Sequence, residues 1–145
     1  MSETAGESVL DAGQLQALML RAPYHRWLGI AVTAVSLDAI EVRATWREEW
    51  IANADTRHTH GGVLAALIDL TADFVLATRL GRAVPTIDMR VDYHRMARPG
   101  DLVVRGSVVK AGRQISVSEA RVLDLDGMLI ASGRGTYLTS AAQSG

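Results

Sequence analysis

The stretch Val63-Leu64-Ala65-Ala66-Leu67-Ile68-Asp69-Leu70-Thr71-Ala72-Asp73-Phe74-Val75-Leu76-Ala77 is apolar on every side when wound as a helix. A helix without a wet face must be enclosed by its own protein, so the rest of the chain has to supply a wall. The pattern predicts one long helix between residues 59 and 80. Two carboxylates interrupt it: Asp69 and Asp73, four residues apart, stand on the same side about one turn from each other. Desolvating an ionised carboxylate is costly unless something pairs with it, so each needs a partner or a chemical task. At the other end, His60-Gly61-Gly62 opens the helix. Two glycines present no Cβ to block a ligand, and the first amides of a helix lack intrahelical acceptors and sit at the positive end of the dipole. Such a terminus can receive an anion or a polarised carbonyl oxygen.

The flanking residues read as the required wall. Leu15, Leu18 and Met19 recur at helical spacing within 12–21, giving a short amphipathic helix. Residues 30–36 read as a strand. Ile40, Val42, Ala44 and Trp46 then alternate with Glu41, Arg43, Thr45 and Arg47, as in a half-exposed strand. A loop over 48–58 leads to the central helix, which Gly81 ends and Pro85 keeps from resuming. Four strands follow, over 86–95, 102–110, 115–123 and 128–138, punctuated by Arg98-Pro99-Gly100-Asp101, Ala111-Gly112-Arg113 and Asp126-Gly127. Connections this short predict antiparallel neighbours. Ala131, Gly133 and Gly135 share one face of the last strand, where something must approach the backbone closely. A single antiparallel sheet curled around the enclosed helix satisfies this order, an α+β fold. Residues 1–10 and 140–145 are expected to be disordered ends of one domain over 11–139.

Composition excludes several roles. The chain has 145 residues, 48% apolar and 21% charged, with a net charge of −1, and so lacks the basic field that nucleic acid or anionic lipid would require. It has no cysteine, which excludes disulfides, thiol nucleophiles and thiolate metal sites and fits a reducing cytoplasm. Residues 1–7 are polar and acidic where a secretory leader would be basic and then apolar. An Asp in the middle of the one long apolar run would cost roughly 2.5–3.5 kcal/mol in a bilayer. A cytoplasmic protein with neither a nucleic-acid nor a membrane partner is expected.

His60-Gly61-Gly62, followed by an apolar helix with Asp69 nine residues after the histidine, resembles the phenylacetic-acid-degradation (PaaI-like) type of hotdog-fold acyl-CoA thioesterase. The resemblance runs from about Tyr24 to Leu138. It implies a hotdog fold and hydrolysis of a short-chain or aromatic acyl-CoA, with no cofactor beyond the coenzyme A of the substrate. In that chemistry the Gly61 N–H is the candidate donor to the developing oxyanion. Asp69 acts as general base on water or as the nucleophile that forms a mixed anhydride. Eight residues of helix separate the two by about 12 Å, too far for one carbonyl. A two-fold homodimer, with the Gly61 end of one helix beside Asp69 of the other, resolves this. Thioesterases of this type are built that way, and a dimer of dimers is the larger form expected.

By the same resemblance, Asn53 falls near an Asn that positions substrate or water, and Thr86 near a Ser or Thr beside the attacking water. On its residues alone, each is equally a loop former or a strand threonine. His60 is expected to shape the loop and donate a hydrogen bond rather than act as base. Gly62 and Asp73 complete the helix side of the substrate site. Asp73 departs from the family pattern, which has an uncharged residue there; it either pairs with an arginine or faces Asp69 and raises the apparent pKa of the pair. Arg90, Arg95, Arg98 and Arg134 are expected partners for the phosphates of coenzyme A, and Trp27 and Leu28 line the acyl pocket by resemblance. His58-Thr59-His60 lacks a nearby third ligand, so no metal is expected. Two other readings keep the fold. One is an acyl-CoA binder without turnover, against which Asp69 argues; the other is a hydratase or dehydratase, whose acid and histidine motif is not seen here.

Overall fold

Regular structure begins at Asp11, whose carboxylate accepts the Gln14 amide at 2.8 Å while the Gln14 side chain accepts the Asp11 amide at 2.9 Å. This capping box opens α1 (Ala12–Met19). A second helix, α2 (Pro23–Leu28), carries Pro23 in its first turn and stops at Gly29, where φ is 69°. Its six residues make fewer than two turns, too few for a periodicity, and the sequence read them only as a lead-in. β1 (Ile30–Ser36) and β2 (Ala39–Ala44) form a hairpin. β2 stops before Trp46 because the Asp101 carboxylate takes the Trp46 amide at 2.8 Å. The central helix follows as α3 (Gly61–Phe74) and α4 (Ala77–Leu80), and then β3 (Thr86–Tyr93), β4 (Leu102–Lys110), β5 (Ile115–Leu123) and β6 (Leu129–Leu138).

This computed structural model describes residues 6–140. Within the segment expected to be disordered, residues 8–10 are tied down: the Val9 amide donates to the Thr78 carbonyl at 2.8 Å, and the Ser8 hydroxyl brackets Leu10. Residues 1–5 and 141–145 lie outside the described residues.

The long helix is broken where one continuous element was expected. The Thr78 hydroxyl donates to the Val75 carbonyl at 2.7 Å, and the amides of Leu76 and Thr78 bond three residues back rather than four. That tightens the turn between α3 and α4. Enclosure is also incomplete. Val63, Leu64, Leu67, Ile68, Leu70, Thr71, Ala72 and Phe74 are buried, whereas Ala65, Ala66, Asp69 and Asp73 are half-buried and Gly62 is exposed. Positions 62, 65, 66, 69 and 73 form a single stripe along the helix.

All six strands join one antiparallel sheet in the order β1-β2-β4-β5-β6-β3. α3 lies on one face and packs against β2, β3, β4, β5 and β6, the expected wrapping. The sequence expectation that short connections join neighbours fails between β3 and β4. Among the described residues β3 pairs only with β6, at the sheet edge. The connection over 94–101 needs to span about 14 Å, three strand spacings, and eight residues reach about 27 Å when extended. It is pinned midway, where the Thr59 amide donates to the Ala97 carbonyl at 2.9 Å. The opposite edge is covered, because the Gln16 side chain bonds both the Ile30 carbonyl and the Val32 amide of β1. Side chains cover no such groups along β3 among the described residues.

The close approach expected at β6 is explained. A Cβ on Gly133 would lie 2.6 Å from the Arg90 carbonyl oxygen and 2.7 Å from Cγ2 of Ile68, so glycine there lets α3 and β3 meet over β6. Gly133→Ala should destabilise the protein by about 1–3 kcal/mol through overpacking. Denaturant titration checks this, and an unchanged midpoint would show that the contact relaxes freely.

Candidate active site

Asp69 stands in the middle of α3 facing the β3–β6 pair. Thr86 and Tyr137 are direct Cα partners in that pair, so both side chains project from the same face. Both reach the same atom: the Thr86 hydroxyl donates to Oδ1 of Asp69 at 2.9 Å, and the Tyr137 phenol donates to it at 3.1 Å. Oδ2 has no hydrogen-bond partner among the described residues. A carboxylate with one oxygen held and one free is suited to accept a proton from water or to attack a carbonyl. Burial, then the Asp69 charge and hydrogen bond, and then the Asp73 charge push the Tyr137 phenol up from its ordinary range. It therefore remains a donor.

The start of α3 distinguishes its two glycines. The Gly62 amide donates to Nδ1 of His60 at 2.7 Å, so the imidazole caps the helix. A side chain at Gly62 would collide with that ring, 2.9 Å from Nδ1. The Gly61 amide has no acceptor among the described residues. Of the two glycines expected to meet the substrate, Gly61 alone keeps its N–H available. Because Nδ1 of His60 accepts the Gly62 amide, a hydrogen bond donated by this ring would come from Nε2. Tyr93, at the far end of β3, donates to the Gly61 carbonyl at 3.0 Å. His58, Arg95, Met96 and Tyr93 border a cleft of about 330 Å³ beside Gly61.

A family profile described as the Thioesterase superfamily matches residues 57–131, which hold the central helix, β3 to β5 and the start of β6. The chain belongs to the thioesterase superfamily. One solved structure from this superfamily is 45% identical, covers 88% of this chain and 96% of its own, and superposes with a TM-score of 0.86. The medium/long-chain acyl-CoA thioesterase YigI of Salmonella typhimurium is 26% identical over 93% of this chain and 96% of its own length. A phenylacetic acid degradation-related protein from Ralstonia eutropha, 22% identical over 86% of this chain and 98% of its own with a TM-score of 0.75, shares the fold. The protein is thus a thioester hydrolase with the hotdog architecture.

The remaining expected site residues of this thioesterase divide by location. The Asn53 side-chain oxygen accepts the amides of Asp55 and Thr56 at 2.8 and 3.1 Å, a local turn that accounts for Asn53 without substrate. Arg90 and Arg134 lie opposite each other on the sheet face away from α3, where Arg134 pairs with Glu119 at 3.0 Å and Arg90 with Asp92 at 3.3 Å. The structure does not bring them to Asp69. Arg95 borders the Gly61 cleft, and Arg98 is exposed in the following turn; neither forms an ion pair among the described residues. Leu28 is fully buried, and Trp27 packs between the Tyr24 ring and the Arg47 guanidinium. The sequence reading missed Tyr137 and Tyr93. For Tyr137 the available signal was Gly135 two residues earlier, on the same face of a strand.

Among the described residues Asp73 has no arginine partner. Its Oδ1 accepts the Val84 amide at 3.0 Å, and burial, reinforced by the Asp69 charge, raises its pKa from the ordinary 3.8 to about 7 against the lowering effect of that amide. A carboxyl that holds its proton more tightly in the folded state contributes stability below its unfolded pKa and loses it as pH rises through the folded one. Asp73→Asn keeps an oxygen for Val84 and cannot ionise. Its stability advantage should therefore grow between about pH 4 and pH 8, by roughly 2–4 kcal/mol. Thermal melts across this range test it, and a pH-independent difference would show that Asp73 does not titrate there.

Proposed function

We propose that the protein hydrolyses acyl-CoA at two equal sites of a homodimer, each combining the Gly61 amide of one copy with Asp69 of the other. The observation that carries this reading is the Asp69 carboxylate, held through Oδ1 with Oδ2 free, in a chain of the thioesterase superfamily. The Gly61 N–H polarises the thioester carbonyl and stabilises its oxyanion. By one route, water adds to the carbonyl carbon as Oδ2 takes its proton; the oxyanion then collapses, the C–S bond breaks, and the thiolate leaves and is reprotonated. By the other, Oδ2 itself adds, the thiolate leaves, and water hydrolyses the resulting anhydride. Both routes need the same two groups. Arg95 lies where it can meet a phosphate of coenzyme A entering the Gly61 cleft, and the lack of cysteine fits a cytoplasmic setting.

Three features support the shared site. α3 itself spaces Gly61 and Asp69 by about 12 Å. The half-buried stripe of α3 and the bare edge of β3, with Ile87 and Tyr93 exposed, are neighbouring surfaces that a second copy would cover. β3 also connects the two groups, since Thr86 at one end touches Asp69 and Tyr93 at the other touches Gly61. Antiparallel pairing of β3 with a second β3 about a two-fold axis sets the Thr86 end of each beside the Tyr93 end of the other. Two such dimers make the tetrameric form of this reading.

The acyl group is short or aromatic on the PaaI-like resemblance, while the similarity to YigI favours longer chains. A thiol-reagent assay over acetyl- to dodecanoyl-CoA and phenylacetyl-CoA decides between them, and the same acyl groups on carrier protein test the thiol carrier. Asp69→Asn should lower kcat at least about a hundredfold with the fold intact, because an amide is isosteric yet neither basic nor nucleophilic. Near-normal turnover by this variant would remove Asp69 from the mechanism.

Complementation tests the shared site. Gly61→Pro deletes the free amide at the first position of α3, where proline is accepted, and His60 already has the extended backbone, φ −58° and ψ 134°, that precedes proline comfortably. Each variant alone should be nearly inactive. Co-refolded in equal amounts with Asp69→Asn, half the dimers are mixed and each of these has one intact site, so activity should return to roughly a quarter of wild type. No recovery in dimers shown by mass spectrometry to be mixed would mean that the site is not shared in this way and that a donor other than the Gly61 amide serves the oxyanion.

A further inference from the structure

We infer that Tyr137 is a positioning residue of the hydrolytic site, holding Oδ1 of Asp69 so that Oδ2 is the reactive oxygen, and that Gly135 is glycine because the phenol must pass over it. This rests on the reading of Asp69 as base or nucleophile.

The carboxylate of an Asp turns about a broad, two-fold torsion, so one donor leaves it room to swing. Thr86 stands on the edge strand and is exposed in the single chain, so its hydroxyl has room to rotate until a second copy covers that edge. Tyr137 has no such freedom. Its residue is fully buried, its ring is fixed by packing, and its hydroxyl lies 3.1 Å from Oδ1 and 3.3 Å from the Asp69 carbonyl oxygen. The single phenol hydrogen is thus shared between the side-chain and backbone oxygens of one helical residue, with Oδ1 the nearer. Because Tyr137 and Thr86 are paired across β6 and β3, the two donors approach from adjacent strands and converge on one oxygen.

Gly135 makes this geometry possible. It precedes Tyr137 by two residues on the same face of β6, and a Cβ there would collide with the phenol oxygen and lie 2.6 Å from Cε2 and Cζ. Any side chain at 135 displaces the ring from Asp69. The glycine spacing 133 and 135 thus has two separate causes, the passage of Ile68 and the seat of Tyr137.

Displacing a reacting group by about 1 Å can cost a hundredfold in rate, and here one of two donors would be lost. With the best acyl-CoA of the panel, Tyr137→Phe should keep the melting temperature within a few degrees, lower kcat about tenfold and leave KM within about twofold. Thr86→Val combined with it should approach the loss seen for Asp69→Asn. Gly135→Ala, which leaves the hydroxyl in place chemically but moves it, should reproduce the kcat loss, and should add little to kcat in the Tyr137→Phe background. It also provides the second test should the phenylalanine variant fold poorly. Wild-type kcat in both single variants, with Asp69→Asn inactive, would overturn the inference and leave the Asp69 reading standing. A raised KM at unchanged kcat would also overturn it, making the phenol a substrate contact. Full activity of Asp69→Asn in the same assay would instead remove the parent reading.

Discussion

A half-buried carboxylate on an otherwise apolar helix is tolerable only if donors come to it, and the arrangement around Asp69 follows from that requirement. The helix cannot supply them, since its own amides are committed to its own carbonyls. They come from β3 and β6, whose register sets Thr86 opposite Tyr137 and turns both hydroxyls toward the same oxygen. The register in turn depends on α3 lying close over β6, which Gly133 permits. Displacing the helix by one side chain's width would leave Asp69 desolvated without its donors. Packing and chemistry therefore share the same few contacts.

The second carboxylate illustrates the other outcome. Asp73, one turn further on, accepts only the Val84 amide among the described residues. With burial as the main cause, its pKa rises to about 7. Two aspartates on one face of one helix are thus held differently: the first by two hydroxyls with an oxygen to spare, the second by a single amide. Separation of neighbouring acids by environment is a common basis for giving them different roles.

The two ends of the sheet are also unequal. The outer edge of β1 is closed by Gln16 of α1, while β3, which carries the contacts to both Asp69 and Gly61, is left bare. A bare edge invites pairing. The edge that touches the chemistry is the one available to a second copy, which is why assembly and catalysis belong to one proposal here.

Apart from α2 and the break between α3 and α4, the elements, their order and the chemically suspect residues were legible in the sequence, because they depend on local periods and on residue types that are expensive to bury. The Val63–Ala77 run demanded an enclosing sheet, alternation marked the strands, and Asp69 and Gly61 stood out against their surroundings. Neither the pairing of β3 with β6 nor the path of residues 94–101 was legible, since strand order is a matter of which edges meet in space and a short connection does not fix it. The role of Tyr137 was hidden for the same reason: a tyrosine in a strand is ordinary until the strand opposite places Thr86 beside it and α3 places Asp69 above both. Local sequence determined what each segment becomes. Only tertiary structure decided which hydroxyls reach the carboxylate, because a hydrogen bond between residues 68 positions apart depends on sheet register, helix height and a missing Cβ all at once.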